Sequence, residues 1–93
     1  MPAFKVAIPT PLRSYTGGAA HVVVEVTGDK PRLRDAFAAL DAAYPGIRFR
    51  MIDEAGRVRP HVQVFVGMSV QRDPDAILRL GEEIMIVGAL SGG

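Results

Sequence analysis

The hydrophobic pattern changes period several times along the chain, and each change marks an element. In Phe4-Lys5-Val6-Ala7-Ile8 the apolar residues Phe4, Val6 and Ile8 fall on one side, the period of a half-buried strand. Pro9-Thr10-Pro11 stops it, and Leu12 to Gly18 reads as a turn or long hairpin loop that Gly17-Gly18 allows to reverse. Val22, Val24 and Val26 then alternate with Val23, Glu25 and Thr27, a second strand rich in β-branched residues. These two strands are predicted to pair as an antiparallel hairpin.

After Thr27-Gly28-Asp29-Lys30-Pro31 the period lengthens. Leu33, Ala36, Phe37, Leu40 and Tyr44 make one apolar stripe at helical spacing, with Arg32, Arg34, Asp35 and Asp41 off the stripe. Pro31 suits the first helical turn, where its missing N–H is not needed, with Asp29 or Lys30 as the cap. Tyr44-Pro45-Gly46 ends the helix, because a residue before proline is pushed out of the α region.

Ile47 to Ile52 is predicted as a short third strand, followed by an Asp53-Glu54-Ala55-Gly56 turn with glycine at a left-handed position. His61-Val62-Gln63-Val64-Phe65-Val66 alternates most clearly: the valines point one way, His61, Gln63 and Phe65 the other. Gly67 to Arg72 turns and is expected to add a short edge strand, and Asp73 to Leu78 one turn of helix. Gly81-Glu82-Glu83 leads into Ile84-Met85-Ile86-Val87, apolar on both faces. Continuous apolar strands belong inside a sheet. The last strand is therefore expected at the centre, beside the first.

Two strands, a helix, and further strands with the last one central describe an α+β, β-grasp (ubiquitin-like) fold, a mixed sheet with one main helix on one face. Residues 1–90 are read as that domain and 91–93 as a flexible Ser-Gly-Gly tail. If Val62, Val64, Val66, Ile84 and Ile86 face the helix, then Phe65, Met85 and Val87 face away, on the open side of the sheet near the root of the tail. An exposed apolar patch of that kind marks a partner-docking site.

The tail carries the candidate chemistry. Glycine has no Cβ and fits where another surface closes on the backbone from both sides. A carboxylate on so thin a stalk can enter a narrow enzyme channel and be activated there. Composition narrows the alternatives. The 93 residues suit one domain, and the absence of cysteine excludes disulfides, thiolate metal sites and a cysteine nucleophile in this chain. Nine of the eleven basic residues are arginine, but they form no run with interleaved aromatics, and net charge is +1, so no nucleic-acid partner is expected. The N-terminal residues lack the basic and apolar segments of a signal peptide, and no apolar run approaches the about 18 residues of a membrane span. No membrane partner and a cytoplasmic location are expected. His21 and His61, 40 residues apart, and the carboxylate pairs Asp53-Glu54 and Glu82-Glu83 read as surface and turn residues rather than a catalytic or metal site.

Several stretches together resemble the ThiS/MoaD-type ubiquitin-like sulfur carrier family. They are Ile8-Pro9-Thr10-Pro11-Leu12-Arg13 with Thr16-Gly17-Gly18, then Tyr44-Pro45-Gly46-Ile47, Val62-Gln63-Val64-Phe65-Val66, and Gly81-Glu82-Glu83-Ile84 running to Ser91-Gly92-Gly93. The resemblance implies a carrier acting as co-substrate of sulfur-transfer enzymes, not an enzyme itself. An adenylating, E1-like activating enzyme would use ATP to activate the Gly93 carboxylate, which a sulfur donor converts to a thiocarboxylate. No cofactor is bound by the carrier. Gly93 would carry the sulfur, Gly92 and small Ser91 would admit the tail, and Phe65 matches the outward aromatic of the docking face. Partners implied are the activating enzyme, a sulfur-accepting synthase and a metalloprotease that releases product. The family often has asparagine where this chain has Gln63 and Gly67, and proline where it has Gly88, which is expected to loosen the tail root. Length and the Pro-Thr-Pro-Leu-Arg opening look more like carriers serving cysteine synthesis than like the shorter thiamine carriers. A molybdopterin synthase small subunit, a carrier for another sulfur-containing metabolite, and a ubiquitin-like protein modifier remain as alternatives.

Overall fold

The computed structural model describes residues 2–88. Its elements are β1 (Ala3–Ala7), a 3₁₀ turn (Thr10–Leu12), β2 (His21–Glu25), α1 (Leu33–Ala43), α2 (Ile47–Met51), β3 (Val62–Val66), β4 (Ser69–Val70) and β5 (Ile84–Gly88). The strands form one mixed sheet in the order β2-β1-β5-β3-β4. β1 pairs antiparallel with β2 and parallel with β5, and β5 pairs antiparallel with β3. This is the β-grasp arrangement, with the last strand at the centre of the sheet.

The core lies between the sheet and α1. Phe4, Val6, Val22, Val24, Val62, Val64, Ile84 and Ile86 bury their side chains from the strands, and Leu33, Ala36, Phe37 and Leu40 meet them from the predicted helical stripe. Burying one such side chain is worth about 1.5–3 kcal/mol. α1 begins later than predicted. Arg32, not Asp29 or Lys30, is its cap residue, and Pro31 lies ahead of the first turn. The reason is tertiary. Leu33 N–H donates to the Ala76 carbonyl at 2.9 Å and Arg34 N–H to the Pro74 carbonyl at 2.8 Å, while the Asp35 carboxylate accepts from Arg32 N–H at 2.8 Å. The donors that every helix start leaves free are thus taken up by a distant loop.

The same contacts correct the reading of residues 73–78. No helical turn forms there. Ala76 N–H donates to the Asp73 carbonyl and Asp75 N–H to Asp73 Oδ1, closing a turn whose carbonyls point at α1. The predicted third strand is also wrong, because Ile47–Met51 is helical. Ile-Arg-Phe-Arg-Met satisfies alternation through Ile47, Phe49 and Met51, and helical spacing through Ile47 and Met51 alone. The fold takes the second option: Ile47 and Met51 are fully buried and Phe49 stays exposed. Gly46, at φ 96°, makes the left-handed entry. Asp41 Oδ1 then accepts from the N–H groups of Gly46 and Arg48 at 3.0 and 3.1 Å. The expected short edge strand, β4, completes the strand count in place of 47–52.

Asp41→Ala is expected to lose about 0.5–2 kcal/mol of stability, as other cap deletions do, read as a lower urea midpoint with an unchanged slope. A pH effect follows from the 53–57 turn, where Gly56 takes the predicted left-handed conformation at φ 82°. Asp53 accepts from the N–H groups of Arg57 and Ala55. The Arg57 N–H chiefly, with the Ala55 N–H and the charges of Arg57 and Arg59, holds its carboxyl below the usual carboxylate value. A carboxyl depressed on folding stabilises the folded state above its unfolded value and ceases to do so as pH falls through the folded value. Between about pH 5 and about pH 2, the wild type should therefore lose more stability than Asp53→Asn in matched urea titrations.

Candidate functional site

The open face of the sheet is built by strand parity. Ile84 and Ile86 of β5 are buried under α1, so Met85 and Val87 must point away, where they are 43% and 42% exposed. Cross-strand register places Phe65 opposite Met85 and Gln63 opposite Val87 on β3, and Ala7 opposite Met85 on β1. The predicted trio of Phe65, Met85 and Val87 is thus brought together on one face. Phe65 is half-buried rather than open, with Val70 of β4 directly across from it. The row continues through Ala7 to His21 on β2. Val23, 67% exposed, and Val70 extend the apolar surface beyond the residues singled out from the sequence. The alternation of those two strands carried that signal.

Charge borders this surface at one end. Lys5 on β1 and Glu83 just before β5 approach to 4.0 Å, both exposed to solvent. At the other end, where β5 finishes, a shallow groove of about 520 Å³ is lined by Pro9, His21, Met85, Val87 and Gly88 among others. β5 keeps its register to its last residue, since Gly88 stands opposite Val62. The expected loosening at Gly88 is therefore absent from the strand itself. A Cβ there would meet only Pro9, at 3.8 Å, so packing does not demand glycine at this position. Ser91, Gly92 and Gly93 lie outside the described residues.

Three side chains to which the sequence pattern assigns no structural role hold this region in place. Arg72 donates to the carbonyls of Val62 at 2.7 Å, Val58 at 2.9 Å and Arg59 at 3.0 Å, fastening β3 to the loop before it. Arg13 Nε donates to the Ile8 carbonyl at 3.0 Å, and the buried Thr16 hydroxyl donates to Ala19 at 2.8 Å, fixing the loop that walls the groove. A lone arginine or threonine in a turn carries no pattern that would announce such a bond. His21 and His61 stand on β2 and just before β3, with β1 and β5 between those strands. No group of three or more metal-ligating side chains occurs among the described residues. No helix among them is long and apolar enough to cross a membrane.

Comparison with solved structures matches this geometry closely. A chain of the Amycolatopsis orientalis BexX/CysO complex superposes with a TM-score of 0.81 at 26% identity, over 97% of this chain and 99% of that one. CysO of Mycobacterium tuberculosis, described as an antigen, gives 0.79 at 28% identity, over 94% and 99%. SAMP1 of Haloferax volcanii gives 0.80 at 23% identity over 98% and 99%, a likeness of fold. No family model and no curated protein matches the sequence. The resemblance to ThiS/MoaD-type ubiquitin-like proteins thus holds in three dimensions.

Val87→Glu should fold normally, with stability within about 0.5 kcal/mol of wild type, because the side chain already faces water. Phe65→Glu should cost more, since Phe65 is half-covered by its neighbours. Thermal unfolding of the two variants side by side checks the order.

Proposed function

We propose that this protein is a ubiquitin-like sulfur carrier whose C-terminal glycine, Gly93, is adenylated and converted to a thiocarboxylate. The observation that carries the reading is the position of β5. The strand at the centre of the sheet runs out beside the groove, five residues before the Gly92-Gly93 end of the sequence. Gly88, from which the sequence continues to Gly92-Gly93, thereby lies at the groove beside the apolar face of Met85 and Val87. Similarity to CysO chains at 26% and 28% identity supports the same reading.

The chemistry runs in two balanced steps. A carboxylate oxygen of Gly93 attacks the α-phosphorus of ATP on an activating enzyme, displacing pyrophosphate and leaving an acyl adenylate. Hydrosulfide released by a sulfur donor then adds to that carbonyl, expels AMP and loses its proton, leaving the thiocarboxylate. The product is a soft, ionised sulfur that the next enzyme can draw into a pocket shielded from water. The carrier's own part is geometric. Gly92 and Gly93 pass where a side chain would collide, and Met85, Val87 and Phe65 dock the partner so that the terminus arrives in register. The resemblance directs the sulfur toward cysteine or another sulfur-containing metabolite, and the working compartment toward the cytoplasm.

Intact-mass measurement of the full chain, after incubation with an activating enzyme, ATP and a sulfur donor, tests this. The expected result is a gain equal to the difference between sulfur and oxygen, localised to Gly93. An unchanged mass overturns the carrier reading, and isopeptide-linked adducts on lysines would instead identify a protein modifier. Gly93→Ala should fold as wild type and be adenylated about 10²-fold more slowly, the scale of loss from a misplaced reacting group, measured by ATP–pyrophosphate exchange.

A further inference from the structure

The hydrogen-bond phase of the first hairpin leaves one edge of the sheet unpartnered. Ile8 N–H donates to the Ala20 carbonyl at 2.8 Å and Val26 N–H to the Pro2 carbonyl at 2.9 Å. With the register Phe4↔Val24 and Val6↔Val22, this makes the even-numbered residues of β2 the ones bonded to β1. The backbone N–H and C=O groups of His21, Val23 and Glu25 therefore point outward. β2 is an edge strand, and none of these groups has a hydrogen-bond partner among the described residues. The strand is five residues long, contains no proline and no lysine, and carries Val23 at 67% exposure on its open side. Edge strands of this kind are templates for pairing, and proteins that stay monomeric guard them with proline, lysine or bulges.

The strand's own sequence says what it fits. His21-Val22-Val23-Val24-Glu25 is self-complementary when reversed. A two-fold axis through Val23 sets Val23 against the second copy's Val23 and His21 against its Glu25, at both ends. Each of those three facing pairs can exchange two backbone hydrogen bonds, because the outward groups belong to those residues. Apolar meets apolar at the centre, and a nitrogen-bearing ring meets a carboxylate at each end. Cross-strand pairs of this type stabilise a sheet, whereas like charges directly opposite destabilise it.

We propose that β2 is a homodimerisation edge, joining two copies of this chain antiparallel through His21, Val23 and Glu25 into one continuous sheet. The helices of both copies stay on one side and the open faces on the other. Because β5 ends at the His21 end of each sheet, the two strand ends lie at opposite ends of the pair. This pairing needs nothing from the tail, so it stands or falls apart from the carrier reading.

Sedimentation velocity of the full chain over a micromolar-to-millimolar series tests it, together with amide hydrogen exchange at low and high concentration. A concentration-dependent dimer is expected, in which the amides of His21, Val23 and Glu25 gain protection while those of Val22 and Val24 are protected throughout. Val23→Pro removes a donor that the monomer does not use, a position edge strands tolerate, and should weaken the dimer about tenfold or more. His21→Glu sets glutamate against Glu25 and should weaken it similarly, while the double variant His21→Glu/Glu25→His restores the opposed pair and the dimer. Unfolding curves identify any variant that fails to fold. A monomer throughout the series overturns the proposal. So does a dimer without protection at the three amides, or a double variant no better than His21→Glu. A monomer whose Val23→Pro variant loses affinity for an activating enzyme would assign the edge to a partner's strand instead.

Discussion

Everything in this fold depends on the parallel contact between β1 and β5. Those two strands lie 77 residues apart, counted from Ala7 to Ile84 (84 − 7), and their pairing joins a β1–β2 hairpin to a β3–β4 hairpin that would otherwise be separate. Without β5, each hairpin exposes one apolar face and an unpaired edge, and α1 has no continuous floor. An isolated two-stranded hairpin is marginal in water. With β5 inserted, Ile84 and Ile86 complete the layer under Leu33, Phe37 and Leu40. The same insertion settles the outer face, because strand parity forces Met85 and Val87 outward once their neighbours are buried.

The features legible in the sequence were those with a period. The alternation of Phe4, Val6 and Ile8, of the three valines of β2, and of Val62 and Val64 located strands and their faces. The stripe from Leu33 to Leu40 located the helix. The doubly apolar run from Ile84 identified a central strand, and from that the outward trio followed by parity. What could not be read were choices made by distant partners. Residues 47–52 fit two periods equally well over so short a span, and only the space left for Ile47 and Met51 decided between them. The cap of α1 was invisible because its acceptors come from Pro74 and Ala76, more than forty residues away. Arg72 and Arg13 belong to no run or period, yet they serve as donors to backbone carbonyls at the points where loops must be tied to strands.

The irregular segments and the sheet consequently follow different rules. Irregular segments are secured by carboxylates and guanidinium groups bonding to backbone, as at Asp41, Asp53 and Arg72. On the open side, regular strands present a smooth surface of valine, methionine and phenylalanine, with one ion pair, Lys5–Glu83, at its border. A partner meeting the open side encounters rigid backbone and short side chains. Little ordering is then required on contact, which limits the entropic cost of association.

The central position of β5 has a consequence for the order of synthesis. A ribosome makes chains from the N-terminus, and segments fold as units when their contacts become available. Here the strand that completes the core is the last of the described elements to emerge. A product of translation that stops before β5 cannot close the sheet, and it keeps its apolar faces open to chaperones and proteases. A molecule that has reached the folded state has therefore been translated through its final strand. Folding itself inspects the chain through β5, and a partner that recognises the closed sheet recognises at the same time that Ile84 to Gly88 has been made.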